Sequence, residues 1–142
     1  MSYSLSFTQT LFLVLYVADK IQQGMFEFIS TQQISDDLNI PPSSAGSILR
    51  RLNRAGLIET REGAAGGVRL AVAPENVTLL DLFHAIEQER PLFQTQFQMS
   101  VTGTKPTRAQ VVVRDILNGA EQAMKDHFST VTVKDMMEAI NK

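Results

Sequence analysis

Apolar residues recur at helical spacing in six segments of this chain, and between the third and fourth the pattern breaks into two short strand-like runs. Residues 5–23 are strongly apolar, with Leu11, Phe12, Leu15, Ala18 and Ile21 expected to face inward and Gly24 to stop the helix. Met25 to Ile29 reads as a small strand or a bend. Ser30, with Gln33 three residues on, fits a capping box that opens a second helix carrying Ile34 and Leu38 and ending near Asn39. Ile40-Pro41-Pro42 makes a rigid turn, because the residue before a proline avoids helical geometry. The third helix opens at Pro42 or Ser43 and runs to Arg54, with Ala45, Ile48, Leu49 and Leu52 on one stripe. Gly56 ends it, since glycine enters the left-handed conformation at little cost.

The strand-like runs, Leu57–Arg61 and Val68–Val72, flank Gly63-Ala64-Ala65-Gly66-Gly67 and predict a hairpin with a slim tip. Thr78 then caps a helix over 79–89, with Asp81 three residues on and Leu79, Leu82, Phe83 and Ile86 behind it. Residues 88–106 have no period and contain two prolines, and read as a long flexible connection. Helical spacing resumes over 107–128 with Val112, Ile116, Leu117, Ala120, Ala123, Met124 and Phe128, and Thr132 caps a last helix with Val133, Met136, Met137 and Ile140. The predicted fold is mainly α with a two-stranded wing, an α+β winged helix-turn-helix. Its domain spans 1–87, followed by the connection at 88–106 and C-terminal dimerisation helices over 107–142.

The third helix carries the candidate chemistry. Opposite its apolar stripe lie Ser43, Ser44, Ser47, Arg50, Arg51 and Arg54, all hydrogen-bond donors with no acidic residue among them. A donor-rich helix followed by a basic hairpin is the arrangement a winged helix uses on double-stranded DNA, the helix in the major groove and the wing beside it. Arg50 and Arg51 are expected to reach guanine edges or phosphates, Ser43 and Ser44 to meet a phosphate at the helix N-terminus, and Arg61 and Arg69 to touch the backbone from the wing. Gly46, in the first turn, leaves room for close approach to DNA.

Composition changes this picture in three respects. The 142 residues carry a net charge of −2, but Ser43 to Leu70 holds five arginines against two glutamates, so a local +3 stands against −5 elsewhere. A basic patch of that size, doubled in a dimer, suffices to engage phosphates. There is no cysteine, which removes disulfides and thiolate metal sites. No apolar run reaches membrane-spanning length and no signal peptide is evident, so the expected location is the cytoplasm and no membrane partner is implied. His84 and His127 are far apart in sequence and lack metal-ligand partners at helical spacing, which argues against catalysis and against a bound metal or other cofactor. The glycines do not form a nucleotide loop, because no lysine-serine or lysine-threonine pair follows them.

The run from Ile40 to Ala71 resembles the bacterial BadM-type regulator family, which includes iron–sulphur-sensing and cysteine-metabolism repressors. The resemblance lies in Pro42-Ser43, in Leu52-Asn53-Arg54-Ala55-Gly56-Leu57, and in the glycine-rich wing ending Val68-Arg69-Leu70-Ala71. Val77 to Leu82 and Val131 to Met136 are similar to the same pattern, so it covers most of the chain and is strongest from 30 to 87. It implies a homodimeric transcriptional regulator, a repressor on a palindromic operator. The apolar set Val112, Ile116, Ala120 and Ala123 would hold the dimer. Three departures stand out: no cysteines for a cluster, Ser6 and Thr8 where members place basic residues, and Glu62 where the wing carries a basic one. Two other readings are a winged-helix protein-interaction module without sequence-specific DNA binding, and a regulator whose small-molecule effector binds between 88 and 110.

Overall fold

The computed structural model describes residues 5–88 and 90–142; the start of the predicted first domain and Glu89, expected within the fourth helix, lie outside the described residues. Six helices and one hairpin follow in order: α1 Leu5–Gln22, α2 Thr31–Leu38, α3 Pro42–Arg54, β1 Ile58–Arg61, β2 Gly67–Leu70, α4 Leu79–Glu87, α5 Thr104–Phe128 and α6 Val133–Ile140. A single 3-10 turn, Pro74–Asn76, separates β2 from α4.

The hairpin is antiparallel, with Ile58 opposite Leu70 and Arg61 opposite Gly67. Ile29 adds a one-residue third strand by exchanging both backbone hydrogen bonds with Val68, at 2.9 and 2.8 Å. That settles the Met25–Ile29 segment as a bend ending in a bridge. Gly67 makes the bridge possible, since a Cβ there would lie 2.2 Å from the Ile29 carbonyl oxygen and its φ is +147°.

The helix-turn-helix is fixed by its turn. Ser30 caps α2 by accepting the Gln33 amide at 3.1 Å, although the Gln33 side chain reaches toward Asp37, which leaves half of the expected box. Asn39 takes the left-handed conformation at φ 54°, the Ser35 hydroxyl donates to the Ile40 carbonyl at 2.5 Å, and Pro42 opens α3. Ala45, Ile48, Leu49 and Leu52 of α3 are all buried, as the stripe predicts. They pack on α1, whose inward residues are Thr10, Leu13, Val14, Val17 and Ala18. The expected α1 face was therefore rotated: Leu11 and Leu15 sit at its edges, and Phe12 points outward at 62% exposure. A helix apolar nearly all round carries no phase in its sequence.

α4 and α6 begin in matching ways. Thr78 with Asp81 and Thr132 with Asp135 each form a complete capping box, every bond 3.0 Å long. The two caps lie side by side, with Leu79 donating to Val131 and Val133 to Val77, both at 2.9 Å. Val133 and Met137 thereby enter the same core as α1 and α3. The sequence division that grouped α6 with the dimerisation helix differs from this packing, in which α6 returns to the winged-helix core.

α5 leaves the domain between them. It starts at Thr104, three residues before the expected 107, because Pro106 falls in the first turn, where no amide donor is needed. Its anchorage is an aromatic triad in which Phe7, Phe83 and Phe128 lie 5.2 to 5.5 Å apart, edge-on or tilted. No residue of α5 is fully buried. The connection before it lies along α5, with the Leu92 amide donating to Glu121 and the Gln110 amide to the Phe97 carbonyl at 3.3 Å.

Candidate nucleic-acid interface

The donor face of α3 divides into two. Arg50 and Arg54 are exposed and make no hydrogen bond or ion pair with any described residue. Arg50 folds back along its helix, so that a Cβ at Gly46 would lie 3.4 Å from its Nη1; glycine leaves that guanidinium its room. Ser43 is exposed and Ser44 half-buried at the helix start, where no side chain caps the N-terminus. Backbone amides in the first turn of a helix have no intrahelical acceptor, and here they are open to an anion.

Arg51 is oriented differently. Its Nη1 donates to the Ile86 carbonyl at 3.0 Å and its Nη2 to the Ser47 hydroxyl at 2.9 Å. Ile86 lies in the last turn of α4, whose terminal carbonyls have no intrahelical donors, so a cation there satisfies an otherwise unbonded acceptor. Both Arg51 and Ser47 are half-buried. The structure thus places these two in a clasp between α3 and α4, and leaves Ser43, Ser44, Arg50 and Arg54 on the outer surface.

A second clasp holds α2 behind α3. The Tyr16 hydroxyl donates to the Asp37 carboxylate, joining α1 to α2. Burial first, and then the Asp37 carboxylate, push the Tyr16 hydroxyl up to about 12. The Tyr16 hydrogen bond, with help from Gln33, holds Asp37 below the usual carboxylate range.

The wing is unlike α3. Alternation along the hairpin turns Val68 and Ile58 inward and Glu59, Arg61 and Arg69 outward. Phe28, brought alongside by the Ile29 bridge, lies under both guanidinium groups, with Arg61 Cζ 4.2 Å and Arg69 Cζ 4.4 Å from its ring centre. Glu27 Oε1 is 3.4 Å from Arg61 and 3.7 Å from Arg69, Arg69 also pairs with Glu59, and Arg61 donates to the Ala65 carbonyl at 2.9 Å. With Glu62 beside them, two arginines face three glutamates. The tip is held by the Gly66 amide donating to the Gly63 carbonyl at 3.0 Å; a Cβ at Gly66 would come within 2.1 Å of the Arg61 carbonyl oxygen. Sequence reasoning found the arginines but missed Glu27 and Phe28. The only sign of them was Phe28-Ile29 beside an unassigned bend, which does not say which strand it meets.

Val112, Ile116, Ala120 and Ala123 share one exposed face of α5, with Val112 at 56% and Ile116 at 65% exposure. An adjoining face, with Leu117, Met124 and Phe128 half-buried, turns toward the chain's own domain. His84 and His127 are both exposed, and no group of three histidine, aspartate or glutamate side chains among the described residues is arranged to hold a metal ion.

Comparison with known proteins places this geometry. The family profile described as Rrf2, iron-dependent transcriptional regulator, matches residues 4–139. The chain is 28% identical over 125 residues to the HTH-type transcriptional regulator NsrR of Shouchella clausii, covering 88% of this chain and 80% of that protein. Among solved structures, IscR of T. potens superposes with a TM-score of 0.73 at 17% identity, over 99% of this chain and 88% of that one. CymR, the global cysteine regulator of B. subtilis, superposes with a TM-score of 0.66 at 19% identity, over 98% of both chains.

Proposed function

Because this chain belongs to the Rrf2 family of transcriptional regulators, and is itself a DNA-binding regulator, we propose that it works as a cytoplasmic homodimeric repressor reading a palindromic operator through α3. The observation that carries this reading is the pair Arg50 and Arg54, two arginines with no protein partner among the described residues, on a helix held by its turn and by Arg51. A guanidinium with no partner has only water to lose when it meets a guanine edge or a phosphate.

What supports the dimer is α5. A helix with one face on its own domain and the valines and Ile116 exposed on another most simply buries that second face on a second copy. Two-fold symmetry then sets the two α3 helices on half-sites about one helical turn apart, on the order of 34 Å. Ile116→Asp puts a charge into that contact and is expected to give monomers in sedimentation, with operator affinity reduced because each half-site then binds alone. An intact dimer in that variant, or a wild-type monomer at micromolar concentration, would count against this arrangement.

The family description names iron, and the donor set of this chain does not fit an iron–sulphur cluster. Such clusters need thiolates, and the sequence has none; its two histidines are the only imidazole donors. Phe83 and Phe128 meet as tilted rings and bring the helices bearing His84 and His127 together, yet no carboxylate group completes a metal set there among the described residues. Protein purified without oxygen is expected to be colourless, with operator affinity indifferent to oxidant.

A further inference from the structure

A cavity of about 470 Å³ opens between the last turn of α1, the end of β2, the 3-10 turn and α6, within the size range of small-molecule sites. It is separate from the α3 surface and from the 88–110 segment. Its lining is apolar below and charged at the mouth. Ala18 and Met137 are buried, and Ile21, Leu70 and Val72 are half-buried around them. Ala71 and Ala73 project only methyl groups, which keeps the space open.

The mouth carries three charges. Lys134 and Glu138, one turn apart on α6, face each other at 3.9 Å, too far for a hydrogen bond, so each keeps capacity for another partner. Glu75, on the 3-10 turn across the opening, makes no hydrogen bond or ion pair with any described residue. The rim is therefore acidic by one charge, and the uncompensated carboxylate belongs to Glu75. Small-molecule sites join an apolar body to a few polar groups that fix orientation, and here the carboxylate at the rim, exposed and without a protein partner among the described residues, offers a place for a cation.

We propose that this cavity binds a small ligand with an apolar aliphatic body and a primary ammonium group, the body over Met137 and the ammonium on Glu75. An aliphatic amine and a free apolar amino acid share that chemistry, and Lys134 separates them, since only the amino acid brings a carboxylate for it to pair with. Leu70 and Val72 belong to the root of the wing, where the Ala71 amide closes the hairpin on the Leu57 carbonyl at 2.9 Å. If operator binding shifts this root, a ligand held against it binds operator-bound and free protein with different affinity, and that coupling is reciprocal. This regulatory consequence rests on the DNA-binding reading; the site itself does not.

Direct binding is read first, without DNA. Full-length protein labelled at its methionine methyl groups, with the Met137 signal assigned through Met137→Leu, is titrated with isoamylamine, L-leucine and isocaproate. The expected result is a saturable Met137 shift with the two ammonium compounds and none with isocaproate. Glu75→Gln should weaken both by about tenfold, the loss of one charge-assisted hydrogen bond. Lys134→Met should weaken leucine alone. Ala73→Trp, at an exposed position of the wall, should abolish the shift with an unchanged Tm. No saturable shift with either ammonium compound up to concentrations on the order of 10 mM would overturn the site, as would equal binding of isocaproate or wild-type binding by Glu75→Gln. Operator titrations with and without the bound probe then test the coupling: a changed affinity supports it. Probe binding with unchanged operator affinity overturns the regulatory consequence and leaves the site standing.

Discussion

Arg50 and Arg54 on α3 carry into solvent the same group that Arg61 and Arg69 carry on the wing, yet the two pairs sit in opposite surroundings. The α3 pair has no protein partner among the described residues, whereas each wing arginine lies over Phe28 and against Glu27, and Arg69 also meets Glu59. A phosphate meeting α3 displaces only water. A phosphate meeting the wing must also compete with carboxylates already in place, and the local charge it sees there is negative. The number of arginines in a segment is therefore a poor guide to its affinity for DNA; what matters is how many remain uncommitted after folding.

The largest effect expected from this contrast is on the α3 pair. Arg50→Ala with Arg54→Ala should cost about 1–3 kcal/mol per contact in operator affinity and flatten the salt dependence by about two phosphate-equivalents, with Tm unchanged. If Arg61→Ala with Arg69→Ala costs more in the same titration, the contrast is wrong and the wing is the main electrostatic contact.

Arg51→Ala sharpens the contrast within α3 itself. Because this arginine holds the end of α4 and Ser47, its loss should appear as stability, about 1.5–3 kcal/mol in denaturant unfolding, discounted toward the lower figure for its partial exposure. Its operator titration, measured where the protein is folded, should keep the wild-type salt slope. A lost slope with wild-type stability would place Arg51 on the DNA instead.

A smaller gain of function is expected at the wing. Glu27→Gln removes one carboxylate from between the two guanidinium groups while keeping the side-chain size. Operator affinity should rise about three- to tenfold at low salt and the gain should fade as salt is raised, since the pair is largely exposed. Unchanged affinity at low salt would mean that the wing does not approach the phosphates.

The smallest effect concerns the Tyr16–Asp37 clasp behind the recognition helix. Tyr16 titrates higher when folded, up to about 12 from 10.0, so its contribution is complete below the unfolded value and is lost as pH rises through the folded one. Asp37 titrates lower when folded, so its contribution is complete above the ordinary carboxylate value and is lost as pH falls through its folded one. The Tm difference between wild type and Tyr16→Phe should therefore be flat through neutral pH and shrink at both extremes. A difference that peaks near pH 7 would assign the effect to another group.

Spacing along the chain determined a good part of this protein. The buried stripe of α3, the caps at Ser30, Thr78 and Thr132, and the glycine-tipped hairpin were legible because each is set by residues within a few positions of one another. So was the family, since its motifs are runs of the same local kind. The facing of α1 was not, because a helix apolar on most sides is oriented only by what packs on it, and here that turned Phe12 out and Leu13 in. Tertiary structure alone decided that Arg51 belongs to α4, 35 residues away. It also set Glu27 and Phe28 against the wing, and returned α6 to the core beside the caps of α4. Local pattern fixes which face of an element is apolar; only the contacts between distant elements fix which charges are left over for a partner.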